Sequence, residues 1–197
     1  LTQLIMAYMV QALLQANPLV DIKRFRLLLS VNLVAAYGML FSFPFQGYGP
    51  VSISFSTLSV LVSWWFAVAV WKALNRQDVK HISHAWFKAA VSFNAVSALG
   101  AFVLGYMMGA KVVHQELYLA AIYYFLHFQY NGWFFFAAVG LLMHYLKQVQ
   151  LEVPKAMSVY MFRFFFFAAI PAYFLSALWL PMPQWLYIIV VVAALAQ

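Results

Sequence analysis

The sequence has no cysteine. That removes disulfides, thiolate metal ligands and cysteine nucleophiles. Acid is nearly as scarce: Asp21, Asp78, Glu116 and Glu152 are the whole complement, and each falls in or beside a polar break. No carboxylate therefore lies inside an apolar segment, where a proton-coupled carrier would use one. Charged residues of both signs make up 8% of the 197 residues, against about 25% in ordinary soluble domains. So little polar surface cannot cover a water-soluble globule, whereas a bilayer as solvent removes the need. Phosphate-cradling and dinucleotide-binding glycine loops, the GxSxG elbow and the HExxH zinc motif are also missing.

What the chain does have is apolar length. Hydrophobic residues account for 67% and aromatic ones for 20%, with a mean hydropathy of +0.88. A spanning helix needs about 20 mostly apolar residues, and seven segments qualify or come close. They cover about 1–20, 27–45, 51–71, 84–108, 117–146, 157–179 and 184–197, giving an all-α, polytopic bundle of one domain over 1–197. The breaks are Asn17-Pro18, the polar runs 21–26 and 74–80, the Gly- and Pro-rich turn 44–50, the connection 152–155 and the turn 181–183. Because the chain begins at Leu1, the expectation is a segment of a longer protein. No basic leader precedes the first apolar run as in a cleavable signal peptide.

The net charge of +7 is not a nucleic-acid signal, because the cations fall on one side of this layout. Connections after the first, third and fifth helices, with the adjoining helix ends, collect Lys23, Arg24, Arg26, Lys72, Arg76, Lys80, Lys88, Lys147, Lys155 and Arg163. Lys111 alone falls on the other side. The positive-inside rule makes the rich side cytoplasmic, with the N-terminus outside and the C-terminus inside. The expected location is a bacterial cytoplasmic (inner) membrane, and the expected partners are the lipid bilayer and other membrane subunits. Ser52, Ser56, Ser59 and Ser63 form one stripe of the third helix, and Gly105 with Gly109 matches GxxxG. Both read as close helix contacts. Pro171 should kink the sixth helix. No internal repeat of the kind that builds inverted-repeat transporters is evident.

The residue that stands out is His127. A titratable ring roughly 15 Å from the outer end of the fifth helix marks a functional-site candidate. Tyr123, Tyr124, His127, Asn131 and Phe134 share a face at i, i+3, i+4 spacing, and that face should point into the bundle. Asn94 at similar depth, and Asn32, are expected to join a polar cluster around it. A second constellation sits at the cytoplasmic boundary, where His81 and His84, three apart, would meet His144 from the neighbouring helix and offer imidazoles to a transition metal. Arg163, one to two turns into the sixth helix, is read as snorkelling to the interface, or as meeting an anionic headgroup or a haem propionate.

The stretch Tyr124-Phe125-Leu126-His127-Phe128-Gln129-Tyr130-Asn131-Gly132-Trp133 and the phenylalanines to Phe136 resemble transmembrane helices of haem-copper oxidases. In their catalytic subunit a His-Phe-His-Tyr helix ligates two haems from opposite faces. His127 matches the first histidine and Gln129 replaces the second. The third subunit of that family has seven helices and a His-Phe motif with tryptophan five residues after the phenylalanine. His127, Phe128 and Trp133 match it, although there the motif lies on the last helix, and that subunit carries no haem. The resemblance covers about a dozen residues. It implies haem bound through His127, with Asn131, Tyr123 and Asn94 around it, in a protein of respiratory electron transfer or gas chemistry. Two other functions fit the residues: a non-enzymatic subunit or assembly component of a membrane complex, and a channel or carrier for a small solute lined by Asn32, Asn94, His127 and Asn131.

Overall fold

The structure, a computed structural model, describes residues 1–16, 20–77, 81–112, 114–151, 153–180 and 183–196. These residues form seven helices and no strand. They are α1 (Thr2–Ala16), α2 (Ile22–Gln46), α3 (Pro50–Asn75), α4 (Ile82–Gly109), a rod made of α5 (Gln115–His127), a π segment (Phe128–Phe134) and α6 (Phe135–Gln148), then α7 (Lys155–Ala172) with a 3-10 turn (Tyr173–Ala177), and α8 (Gln184–Ala196). Among the described residues, four stretches are long and apolar enough to cross a membrane: Ile22–Gln46, Pro50–Asn75, Ile82–Gly109 and Lys155–Ala177. The count of seven helices matches the sequence reading; the long-span criterion is met by four. The break at Asn17-Pro18, Asp78, Lys80 and Glu152 lie outside the described residues.

Helix ends depart from the expected bounds for local reasons. The polar run 21–26 is not a connection, because Asp21 caps α2, its carboxylate accepting from Lys23 N and Arg24 N at 3.1 and 3.3 Å. This satisfies two orphan amides and lets the helix start at Ile22. The cations then lie along the first turns, and the Arg24 guanidinium sits 5.8 Å from the Trp65 ring centroid. At the other end α2 continues through Pro44 to Gln46. The stop falls at Gly47, whose φ of 56° is the left-handed conformation that glycine adopts without a Cβ clash. Its amide bonds Phe43 O at 2.9 Å.

The centre of the bundle is α4, which touches α3, α5, the π segment, α6 and α7. Trp86, Phe87 and Val91 on α4 are fully buried in the same core as Phe136 and Trp133. The Trp86 ring lies 5.1 Å from Phe136 and 5.3 Å from Phe162. In lipid such packing works through close van der Waals contact and interhelical hydrogen bonds, since acyl chains are as apolar as the core. The serine stripe of α3 meets α2 as expected: Ser59 Oγ donates to Asn32 Oδ1 at 3.4 Å and Ser56 Oγ to Met39 Sδ at 3.4 Å. The GxxxG pair does not pack, as both Gly105 and Gly109 face open space. Close approaches are made instead by Gly100, Gly140 and Gly132, the last in the π segment, where a Cβ would stand 2.6 Å from Phe93 Cβ.

Candidate functional site

His127 closes α5, and the chain then widens into the π segment. Such segments are rare and are found where a helix carries function or strain. The ring is buried, at 6% exposure. Its Nε2 lies 2.8 Å from Ala169 O on α7. A carbonyl only accepts, so Nε2 carries the proton and Nδ1 is left as an acceptor. Asn131 Nδ2 stands 3.1 Å from Nδ1 and donates to it, which also fixes the orientation of the Asn131 amide. Both ring nitrogens are thereby used inside the bundle.

Ala169 O is available because the helix tightens at Tyr173. In an unbroken α-helix the Tyr173 amide would bond to it, four residues back. After Pro171 the backbone tightens, and the Tyr173 amide goes to Ile170 O instead. His127 takes up the carbonyl that the tightening releases. The expected kink thus exists as a change of helix type, and it pins the π segment to α7. Aromatic rings shield the pair: Phe128 lies 5.1 Å and Tyr173 6.1 Å from the imidazole. Tyr173 is itself held by its hydroxyl donating to Ala120 O at 3.2 Å. A cavity of about 140 Å³ adjoins the pair, lined by Asn131, Phe135, Phe136, Phe165 and Ala169.

The other expected neighbours are elsewhere. Tyr123 is exposed and its ring faces Trp179, 6.5 Å away. Asn32 belongs to a separate network, donating to Gln3 Oε1 at 2.7 Å, while Gln3 Nε2 donates to Leu29 O at 3.0 Å. Asn94 is buried with its Nδ2 unpartnered among the described residues. Its backbone carbonyl accepts from Ser97 Oγ at 2.8 Å, and the same hydroxyl lies 2.9 Å from Gln129 Oε1. Gln129, whose structural part the sequence reading missed, reaches on to Thr2 Oγ1 at 3.4 Å and so ties α4 to α1. Its place two residues from His127, on the opposite face, was the available signal. Asn131 is the second surprise, because its residue is exposed at the bundle surface rather than buried.

The three boundary histidines lie near one another, with His84 in electrostatic reach of both His81 and His144, but two of them are engaged elsewhere. His81 caps α4, its Nδ1 accepting from Ser83 N at 3.3 Å, and its ring centroid is 6.5 Å from that of His84. His144 instead faces α1, with Nε2 3.2 Å from Gln15 Oε1 and 3.2 Å from Gln148 Nε2. Among the described residues no group of three or more His, Cys, Asp or Glu is placed to hold a metal ion. Arg163 is exposed, beside an apolar groove of about 1020 Å³ between α7 and α8.

Fold and site together define an all-helical bundle with four helices able to cross a membrane and a histidine clamp between two of its elements. Comparison with family models, curated proteins and solved structures gives no match.

Proposed function

We propose that this chain is a non-catalytic subunit of a larger membrane complex, crossing the bilayer seven times with its N-terminus outside, and that the face around Asn131 receives a transmembrane helix of a partner. The observation that carries this is the exposure of Asn131, sixteen residues below the outer end of α5 at Gln115, at membrane depth. An amide facing hydrocarbon is unfavourable, whereas in a helix interface it is adhesive. His127 uses one Asn131 N–H, which leaves the second N–H and Oδ1 to face outward in a fixed orientation. Ten of the eleven Lys and Arg fall on the side assigned to the cytoplasm, which supports the orientation.

Ligation of haem or a transition metal by His127 requires the ring to give up either Ala169 O or Asn131 Nδ2. The adjoining cavity of about 140 Å³ is also well below the roughly 300–1,000 Å³ of ligand pockets. A solute path through Asn32, Asn94, His127 and Asn131 draws no support from the geometry, because Asn32 and His127 belong to separate networks.

The test places a photo-crosslinking p-benzoylphenylalanine at Tyr130, which is 58% exposed, and irradiates intact membranes. A discrete protein adduct that disappears in the Asn131→Leu background is the expected result. Adducts to lipid alone, or a protein adduct indifferent to Asn131→Leu, would defeat the proposal.

A further inference from the structure

At the end of the bundle where the cations gather, α4, α6 and α7 enclose a second cavity, of about 430 Å³. Its lining includes His81, Lys147, Lys155 and Ser158. Three features of it have one chemistry in common. Lys147 and Lys155 bring two positive charges from different helices, and both are exposed enough to turn toward an occupant. The N-terminus of α7 opens here with Pro154 in the cap position and no side-chain cap. The amides of Lys155, Ala156 and Met157 therefore lack intrahelical partners and carry the positive end of the helix dipole. Ser158, one turn in, is 1% exposed, and its Oγ has no hydrogen-bond partner among the described residues. A buried hydroxyl left unbonded is costly, and this one lines the cavity.

Free amides at a helix start, a spare buried hydroxyl and two lysines form a receptor for a tetrahedral anion. We propose that this pocket binds a phosphate group, presented by the headgroup of an anionic phospholipid in the surrounding leaflet. The lipid source is argued from the walls. The rest of the lining, from Ile82 and Met143 to Val159, is apolar, a surface suited to the glycerol and upper acyl region below the phosphate. Basic pockets between transmembrane helices on the cytoplasmic side are established headgroup receptors in general. Glu152, adjacent in the chain, lies outside the described residues.

The test reconstitutes the chain in phosphatidylcholine nanodiscs, with and without phosphatidylglycerol, and reads thermal unfolding and the lipid retained in native mass spectrometry. Phosphatidylglycerol should be retained several-fold over phosphatidylcholine and should raise the unfolding temperature. At about fivefold per lysine, the Lys147→Gln/Lys155→Gln pair should abolish that preference. Ser158→Val guards against a folding artefact: it should leave the protein as stable or more stable in pure phosphatidylcholine, yet reduce the phosphatidylglycerol effect. Inorganic phosphate supplies the other arm. If it stabilises the protein in phosphatidylcholine and displaces phosphatidylglycerol, the site takes free phosphate and the lipid assignment falls. Equal retention of the two lipids by wild type, or a phosphatidylglycerol preference that survives all three substitutions, overturns the site altogether.

Discussion

Replacing His127 by phenylalanine isolates the hydrogen bonds of the clamp from its volume. The substitution keeps a planar ring between Phe128 and Tyr173 but removes the donor to Ala169 O, 2.8 Å away, and the acceptor for Asn131, 3.1 Å away. Interhelical hydrogen bonds in membranes are worth about 0.6 kcal/mol on average and up to about 1.7. The orphaned carbonyl costs more. Ala169 O, whose helical partner went to Ile170 O, becomes a buried acceptor with no donor, at about 1–3 kcal/mol. The expected loss is about 2–3 kcal/mol. His127→Ala adds a cavity and should cost about 1–2 kcal/mol more. Equilibrium unfolding in mixed micelles, followed by tryptophan fluorescence, measures both. Combined with Asn131→Leu in a double-mutant cycle, His127→Phe should show a coupling of about 0.5–1.5 kcal/mol. A His127→Phe variant within about 0.5 kcal/mol of wild type would refute the reasoning, since that is the scatter of neutral substitutions.

Other consequences are equally direct. Gly132→Ala should destabilise by about 1–3 kcal/mol through overpacking on Phe93, while Gly105→Ala, in open space, should be neutral or gain up to about 1 kcal/mol; thermal unfolding of the two variants makes the comparison. Asn32→Leu should cost about 1–2 kcal/mol by orphaning Gln3 and Ser59, and micellar unfolding would register it. Pro171→Ala restores an amide that can bond Phe167 O; if the α form then runs on through Tyr173, its amide competes for Ala169 O, and the His127 Nε2 proton, followed by solid-state NMR, should exchange faster than in wild type.

The helices were legible because lipid allows a spanning chain few alternatives to helix, so long apolar runs separated by Gly, Pro and charge translate into elements. Their ends were less so, because a run of charge suggests a loop. Lys23, Arg24 and Arg26 lie on the first turns of α2, where long side chains can reach the interface while the backbone stays helical. The site was legible in its main residue and not in its surroundings. His127 and Asn131 do pair at i, i+4, but the face expected around them rests on 3.6 residues per turn. The π segment adds residues to the turn, and each extra residue rotates the rest of the helix by about 100°. Asn131 is exposed at the bundle surface, and the Phe134 ring stands 5.4 Å from that of Tyr130. Nothing in the periodicity of an aromatic-rich run announces such a change. The boundary histidines are a related case: His81 and His84 have the right spacing and His144 lies within reach of His84, but α6 directs its Nε2 to Gln15 on α1, a direction set by packing that no local pattern encodes.

The central claim is that His127 holds helices together with both of its ring nitrogens. The most direct measurement is the absorption spectrum of the protein purified in mild detergent, oxidised and dithionite-reduced, beside His127→Ala. The account predicts no Soret band in either protein and a difference only in stability. A Soret band in the wild type that vanishes in His127→Ala would contradict it and make His127 a haem ligand.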